Sequence, residues 1–352
     1  MTSSATASIP KLFIGIDIHK KSWQVHFCTD LFDGDTKTFA PVPAAFKEYI
    51  DRSFPGHQVY CVYEAGCCGY TAARAFQSFG WEICVVNPAD IPRPAKQAWT
   101  KTDTVDCINL AKQLKNGQLT SITIPSLSRE QLRALFRRRF DLVKDLRRIK
   151  SRIKSFLLYH GIVVPPAFDN PNWSHAFINW MIDLKWPYAT AQKTLDSMIL
   201  QYRFLKEEIQ LVSTDIRAYC RKHHKKDYYL MRSIPGIGPL TAAAFISEIG
   251  DIRRFSSFKQ LASFVGFVPA IYQSGENLRT LGLTPRGNRL VRSYMVEAAW
   301  VAIRKDPVMQ AYYRKHLGKN PKSIVIKVSR KLLSRLFSVV KNEIPYEIGI
   351  VV

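Results

Sequence analysis

The sequence predicts an α/β domain at the N-terminus, a long helical insertion after it, and a mostly α-helical C-terminal domain. Residues 11–120 alternate strand-like apolar runs with segments of helical spacing. From Ser128 the chain turns strongly basic and keeps a helical apolar period over more than seven turns. The last third reads as helical and carries a Pro-Gly-Ile-Gly turn. The expected boundaries are 1–125, 126–226 and 227–352.

Leu12-Phe13-Ile14-Gly15-Ile16 is a continuous apolar run that ends on Asp17, and Trp23–Phe27 alternates apolar and polar residues. That is a buried strand hairpinned to a half-covered one. A third short strand is expected over Thr36–Ala40, and a helix over Pro43–Phe54 with Phe46 and Ile50 on one face. Gln58–Tyr63 reads as a strand ending at Glu64, Tyr70–Phe79 as a helix, Glu82–Val86 as a strand and Asp103–Leu114 as a helix. Strands first together and then alternating with helices argue for a mixed sheet flanked by helices.

Ser126 or Ser128 can cap the helix that follows, with Glu130 in its first turn. Eleven Lys or Arg stand against three acids between Arg129 and Lys154. A solvated coiled-coil face would lace both signs together, so this excess, including Arg137, Arg138, Arg139, Arg147 and Arg148, reads as phosphate contact. Pro165-Pro166 ends the helix, a shorter one is expected over His175–Leu184, and a second long one over Ala189–Tyr219. The two long helices can pair antiparallel or form a dimerising arm.

Pro235-Gly236-Ile237-Gly238-Pro239 before an apolar segment resembles a helix-hairpin-helix element. There Gly236 and Gly238 would let backbone N–H groups approach a phosphate; a plain structural helix–turn–helix is the alternative. A polar loop is expected up to Arg279, and helices from Arg289 to Arg304 and on to Lys341.

Composition narrows the function. The 352 residues are 47% hydrophobic and 22% charged, ordinary for a globular chain, but Lys+Arg 51 against Asp+Glu 28 gives +23 and a pI near 9.8. Such an excess points to a polyanion, and with no apolar run near membrane-span length, nucleic acid is favoured over a lipid surface. Met1–Pro10 reads as a short polar tail, not a signal peptide. Seven cysteines, several in apolar runs, suit reduced thiols in a cytosol. Cys61, Cys67 and Cys68 lack the spacing of a zinc knuckle, and Cys220 with His223 and His224 is half a site.

Four carboxylates stand out in the first 120 residues. Asp17 and Glu64 lie at strand ends, while Asp103 and Asp106 share a helix face at i, i+3. Each has a bland reading as a turn or helix-start acid. Together in a basic chain they make the oxygen set a hard divalent cation takes while keeping positions for phosphate oxygens.

Asp17 in GIDIHK, Glu64 in YEAGCCGY and Asp103/Asp106 in KTDTVD look like the DEDD quartet of a RuvC-like, ribonuclease-H-type domain. With GFVPAIYQSG and IPGIGPLTA in the same order, the chain from about Leu12 to Lys341 resembles transposases of the insertion-sequence 110 family, including its 1111 subgroup. It departs from the family pattern at Cys107, where Ala is frequent, and at Pro285. The resemblance implies Mg²⁺, or Mn²⁺ in its place, held by the quartet. It also implies that Ser274 is a nucleophile forming a 5′-phosphoserine link to DNA. On residue chemistry alone, Ser274 before Gly275 is a turn residue with Glu276 as the one acid near it. Arg279, Arg286 and Arg289 could clamp phosphate near it or be ordinary surface charge.

The family further implies a homo-oligomer (a dimer, with a tetramer in the active complex) in which the quartet of one subunit serves the serine of another. It implies donor and target DNA, an element-encoded bridge RNA that selects the site by base pairing, and a bacterial, nucleoid-associated protein of the cytoplasm. Two other readings compete: a metal-dependent Holliday-junction resolvase in which water attacks, and a non-catalytic nucleic-acid-binding protein.

Overall fold

The computed structural model describes residues 9–92, 102–274, 277–318 and 320–349, with the backbone alone for 271–274 and 277–281. It separates into two compact units, Met1–Ile124 and Pro125–Val352.

In the first unit the apolar run becomes β1 (Lys11–Ile18), joined by a tight turn to β2 (Trp23–Thr29) and then to β3 (Asp33–Phe39). The third strand begins three residues before the expected Thr36. Its sequence is polar because it lies at the sheet edge. Helix α1 (Pro43–Ser53), β4 (Gln58–Glu64), α2 (Thr71–Ser78), β5 (Glu82–Val86) and α3 (Asp103–Lys115) follow. The sheet order is β3-β2-β1-β4-β5, antiparallel across β3-β2-β1 and parallel across β1-β4-β5. Parity along β1 explains its continuous apolar run. Leu12, Ile14 and Ile16 pack with Phe46 and Ile50 of α1 and Phe76 of α2. Phe13 faces Ala111 of α3 on the opposite side. A strand covered on both faces carries no polar alternation until its end.

The second unit opens with α4 (Leu127–Tyr159), capped by Ser126, whose hydroxyl accepts from the Arg129 amide. After α5 (His175–Ile182) comes α6 (Ala189–His223). Leu142, Ile149, Ile153 and Leu157 pack with Leu195, Ile199, Tyr202 and Leu205, whereas Leu132 and Phe136 at the start of α4 share a core with Ile216 and Cys220 at the end of α6. The two long helices therefore run antiparallel within one chain, over roughly 50 Å at 1.5 Å per residue. Trp173 and Phe177 complete the arm's own core.

The rest is α7 (Lys225–Arg232), α8 (Pro239–Ala244) running into a π-helical turn (Phe245–Ile249), α9 (Phe258–Val265), α10 (Arg289–Lys305), α11 (Pro307–Arg314) and α12 (Pro321–Asn342). Between α9 and α10 the expected polar loop is instead an antiparallel hairpin, β6 (Pro269–Ser274) and β7 (Asn277–Leu283). Among the described residues no helix is long and apolar enough to cross a membrane.

Candidate active site

Strand parity sets the site. Past Phe13 and Gly15, the next residue on the α3 face of β1 is Asp17. On β4 the same face carries Tyr60 and Val62, which pack toward Ala111 and Leu110 of α3, and then Glu64. The parallel register pairs Ile16 with Tyr63, so Asp17 and Glu64 follow at the next step on neighbouring strands. Parallel strands thus deliver two carboxylates to their C-terminal ends, where open α/β sheets place ligands.

Helix α3 brings the other two. Thr102 caps it by accepting from the Val105 amide, and Asp103 and Asp106 occupy its first turn, where acids suit the helix dipole. Cys107, Leu110, Ala111 and Leu114 form the stripe that packs on the sheet. Gly15 permits the close approach: a Cβ there would collide with the Cys107 carbonyl oxygen and stand 2.6 Å from the Ala111 amide nitrogen.

The result is a carboxylate cluster around Asp17. One ligand atom each from Asp17, His19 and Asp103 lies within 4.8 Å of the others. The His19 Nε2–H donates to Asp17 Oδ2 at 3.1 Å, and the same nitrogen is 3.4 Å from Asp103 Oδ2. Burial pushes the Asp17 carboxyl above its ordinary range; the His19 ring opposes that shift, and the charges of Asp103 and Asp106 add to it. Glu64 is half-buried at the end of β4 and is outside the close trio, as is Asp106. A half-buried carboxylate among like charges is a demand for a cation, and the donors here are carboxylate oxygens with one imidazole nitrogen. They fit a divalent ion.

His19 was not foreseen. Between Asp17 and two lysines it reads as a turn residue, and its amide does close the turn on the Ser22 carbonyl. The usable signal was its spacing: two residues past Asp17, it stays on the same face. Cys107 is buried in the stripe, and burial together with Asp17 pushes its thiol up to about 11. Cys68 donates to the Ile18 carbonyl at 3.7 Å.

In the second unit Ser274 ends β6, its backbone paired with Asn277, and Arg279 is paired with Tyr272; Gly275 and Glu276 lie outside the described residues. The base of the hairpin is pinned. The Thr284 amide donates to Val268, Asn288 N–H to Phe264, and Arg292 Nη1 to both Gly266 and Thr284 carbonyls at 3.1 Å. Gly266 and Gly287 touch backbone to backbone at positive φ, where a Cβ on Gly287 would stand 2.7 Å from the Gly266 Cα. Arg286 and Arg289 are exposed beside this base.

Next to it lies a buried charge that local sequence reading missed. Glu248, in the π-helical turn, accepts Arg137 Nε and Nη2 at 2.8 and 2.9 Å and Asn288 Nδ2 at 2.9 Å. Burial would raise its carboxyl, but the Arg137 fork, Asn288 and the Arg133 charge outweigh it and hold the group below its usual range. Arg139 donates to Ser213 Oγ at 2.7 Å and the Tyr294 hydroxyl at 2.9 Å, and Arg148 pairs with Asp145. Thus two of the five arginines read as a phosphate-facing row, Arg137 and Arg139, are engaged by protein partners, although the Arg137 side chain stays 59% exposed; Arg138 and Arg147 are exposed too.

The turn at Gly236 has φ +92°, and α10 fills the space a Cβ would need, at Ala298 O and Ala302 N. Helix packing accounts for that glycine, whereas Gly238 faces open space.

Comparison with known proteins adds an independent line. A DEDD transposase profile of the IS110 group matches residues 14–161, and the family described as Transposase IS116/IS110/IS902 matches residues 228–314. The protein y4qE of Sinorhizobium fredii, assigned as a transposase by name, is 29% identical over 94% of this chain and 82% of its own length. The transposase for insertion sequence element IS1111A of Coxiella burnetii is 23% identical over 70% and 67%. The pilin gene-inverting protein of Moraxella bovis is 25% identical over 96% and 98%.

Proposed function

Because the chain belongs to the IS116/IS110/IS902 family of transposases and is a DNA transposase/recombinase, we propose that it cuts and rejoins DNA at chosen sites through a covalent link to Ser274. Its N-terminal unit takes the role of a RuvC-like, ribonuclease-H-type domain. The convergence of Asp17 and Asp103, with Asp106 close enough to be felt, at the end of the central strand carries this reading.

Asp17, Glu64, Asp103 and Asp106 would hold Mg²⁺ or Mn²⁺. When bound, the ion supplies positive charge against the phosphate oxygens as charge builds there. Ser274 Oγ attacks the phosphorus, a bond from Oγ to phosphorus forms and the bond to the 3′ oxygen breaks. The hydroxyl proton of the serine is transferred to the departing 3′ oxygen. The reverse step, a 3′-hydroxyl attacking the phosphoserine, rejoins the strand. No bond energy is lost to water, so no nucleotide cofactor is needed. The base of the hairpin that carries Ser274 is pinned to α9 and α10.

The carboxylates and Ser274 belong to separate units of the chain. In this reading the serine of one subunit meets the quartet of another within a homo-oligomer, a dimer that becomes a tetramer on DNA. An element-encoded RNA pairs with donor and target DNA and chooses the sites. The protein's excess of +23 grips phosphate backbones, with Arg138, Arg147, Arg279, Arg286 and Arg289 among the contributing cations. The named activity of the Moraxella relative, inversion of a pilin gene, supports recombination over simple hydrolysis.

The test is a denaturing gel after incubation with DNA, RNA and Mg²⁺. A protein–DNA adduct is expected, absent in Ser274→Ala and in Asp17→Ala. An adduct that persists in Ser274→Ala contradicts the reading. Free nicked ends without adduct identify the resolvase chemistry instead.

A further inference from the structure

The quartet of Asp17, Glu64, Asp103 and Asp106 leaves His19 out, yet its ring nitrogen stands between two of those carboxylates, 3.1 Å from Asp17 and 3.4 Å from Asp103. Its position follows from the fold. The last pair of the β1–β2 ladder is Ile18 with Trp23, so His19–Ser22 form the whole connection. The His19 amide bonded to the Ser22 carbonyl at 3.1 Å closes that turn. Two residues beyond Asp17, the side chain stays on the α3 face, and α3 brings Asp103 to its other side. The ring is half-exposed, so it is not held there by core packing.

A hard cation such as Mg²⁺ is satisfied by carboxylate and water oxygens and gains little from imidazole. First-row transition ions accept imidazole nitrogen readily, and their affinity for mixed nitrogen–oxygen sites rises along the series from Mn²⁺. One nitrogen in an oxygen set therefore changes which ion the site prefers.

We propose that His19 is a direct ligand of the divalent ion at the Asp17–Asp103 site, and that it biases the site toward Mn²⁺ and other transition ions over Mg²⁺. This rests on the carboxylate reading given under the proposed function. The alternative role is a hydrogen bond that merely orients Asp17, as outer partners of metal ligands do.

The two roles separate spectroscopically. Mn²⁺ is titrated into the full-length protein, and pulsed paramagnetic resonance is used to look for echo modulation from a directly bound nitrogen. The wild type is expected to show that modulation. His19→Gln is expected to lose it, to weaken Mn²⁺ binding about tenfold, and to leave Mg²⁺ affinity nearly unchanged, so that the Mn²⁺ preference falls. Because His19 is half-exposed, the variant's melting temperature serves as a control for folding.

Bound Mn²⁺ without nitrogen modulation, or modulation that survives in His19→Gln, overturns the proposal. If that oxygen-only binding is still abolished by Asp17→Asn, the carboxylate site stands and only His19 is removed from it. If the wild type binds no Mn²⁺, both readings fall together.

Discussion

Asp17 and Glu248 are both carboxylates withdrawn from water, and their surroundings push them in opposite directions. The Asp17 side chain is 22% exposed, and its ionisable neighbours are two further acids and an exposed histidine. Glu248 is 1% exposed, with a two-pronged arginine, an asparagine amide and a second nearby arginine fixed around it. Asp17 is raised and Glu248 is lowered. The fold has finished the second site and left the first short of positive charge. A buried acid whose partners are complete is architecture; one surrounded by like charge waits for something from outside.

The comparison breaks most visibly if the two acids are altered in turn. Asp17→Asn is expected to reduce DNA strand cleavage on the order of 10³-fold, yet to stabilise the ion-free chain by about 0.5–1 kcal/mol. The sign follows from the raised value: the folded state holds that proton more tightly than the unfolded chain. Its contribution is therefore present below the ordinary aspartate range and is lost as pH rises through the folded value. Urea unfolding without divalent ions should show that loss in the wild type and not in Asp17→Asn.

Arg137→Ala should do the reverse for Glu248 and destabilise by about 3 kcal/mol, because it leaves a buried carboxylate without its main partner. Here the folded value is depressed, so the stabilisation is present above the ordinary glutamate range and disappears as pH falls through the folded value. Unfolding curves between neutral and acid pH should lose that dependence in the variant. If Arg137 instead serves nucleic acid alone, its removal will cost almost nothing in stability.

Gly15→Ala sharpens the first half of the comparison. The added methyl meets the backbone of α3, so a loss of about 1–3 kcal/mol is expected, together with weaker Mn²⁺ binding as Asp103 moves from Asp17. Arg147→Ala has the smallest expected effect. Stability should change by less than about 0.5 kcal/mol, while the salt slope of nucleic-acid binding falls by about one.

How much of this was legible in the sequence depends on distance along the chain. The buried strand, its terminal Asp17 and the i, i+3 pair Asp103/Asp106 follow from period and spacing, and the structure places them as expected. The polar stretch that ends at Arg279 reads as a loop because Asn277 and Arg279 lack the apolar alternation of a covered strand, yet both lie in β7. The basic face of α4 looked uniform because the acid that engages Arg137 lies 111 residues away. Nothing local to Gly236 announces that α10 packs on it. His19 was hidden in plain view among turn residues.

The most direct measurement is the identity of the residue that carries DNA. Wild-type protein reacted with RNA, DNA and Mg²⁺ is digested with nuclease and trypsin, and the phosphate-bearing peptide is sequenced by mass spectrometry. The phosphate is expected on Ser274, within the peptide Gln260–Arg279, and the modified peptide is expected to be absent when Asp17 is replaced by alanine. Attachment at any other residue, or modification of Ser274 without Asp17, would contradict the division of labour between the serine and the carboxylates.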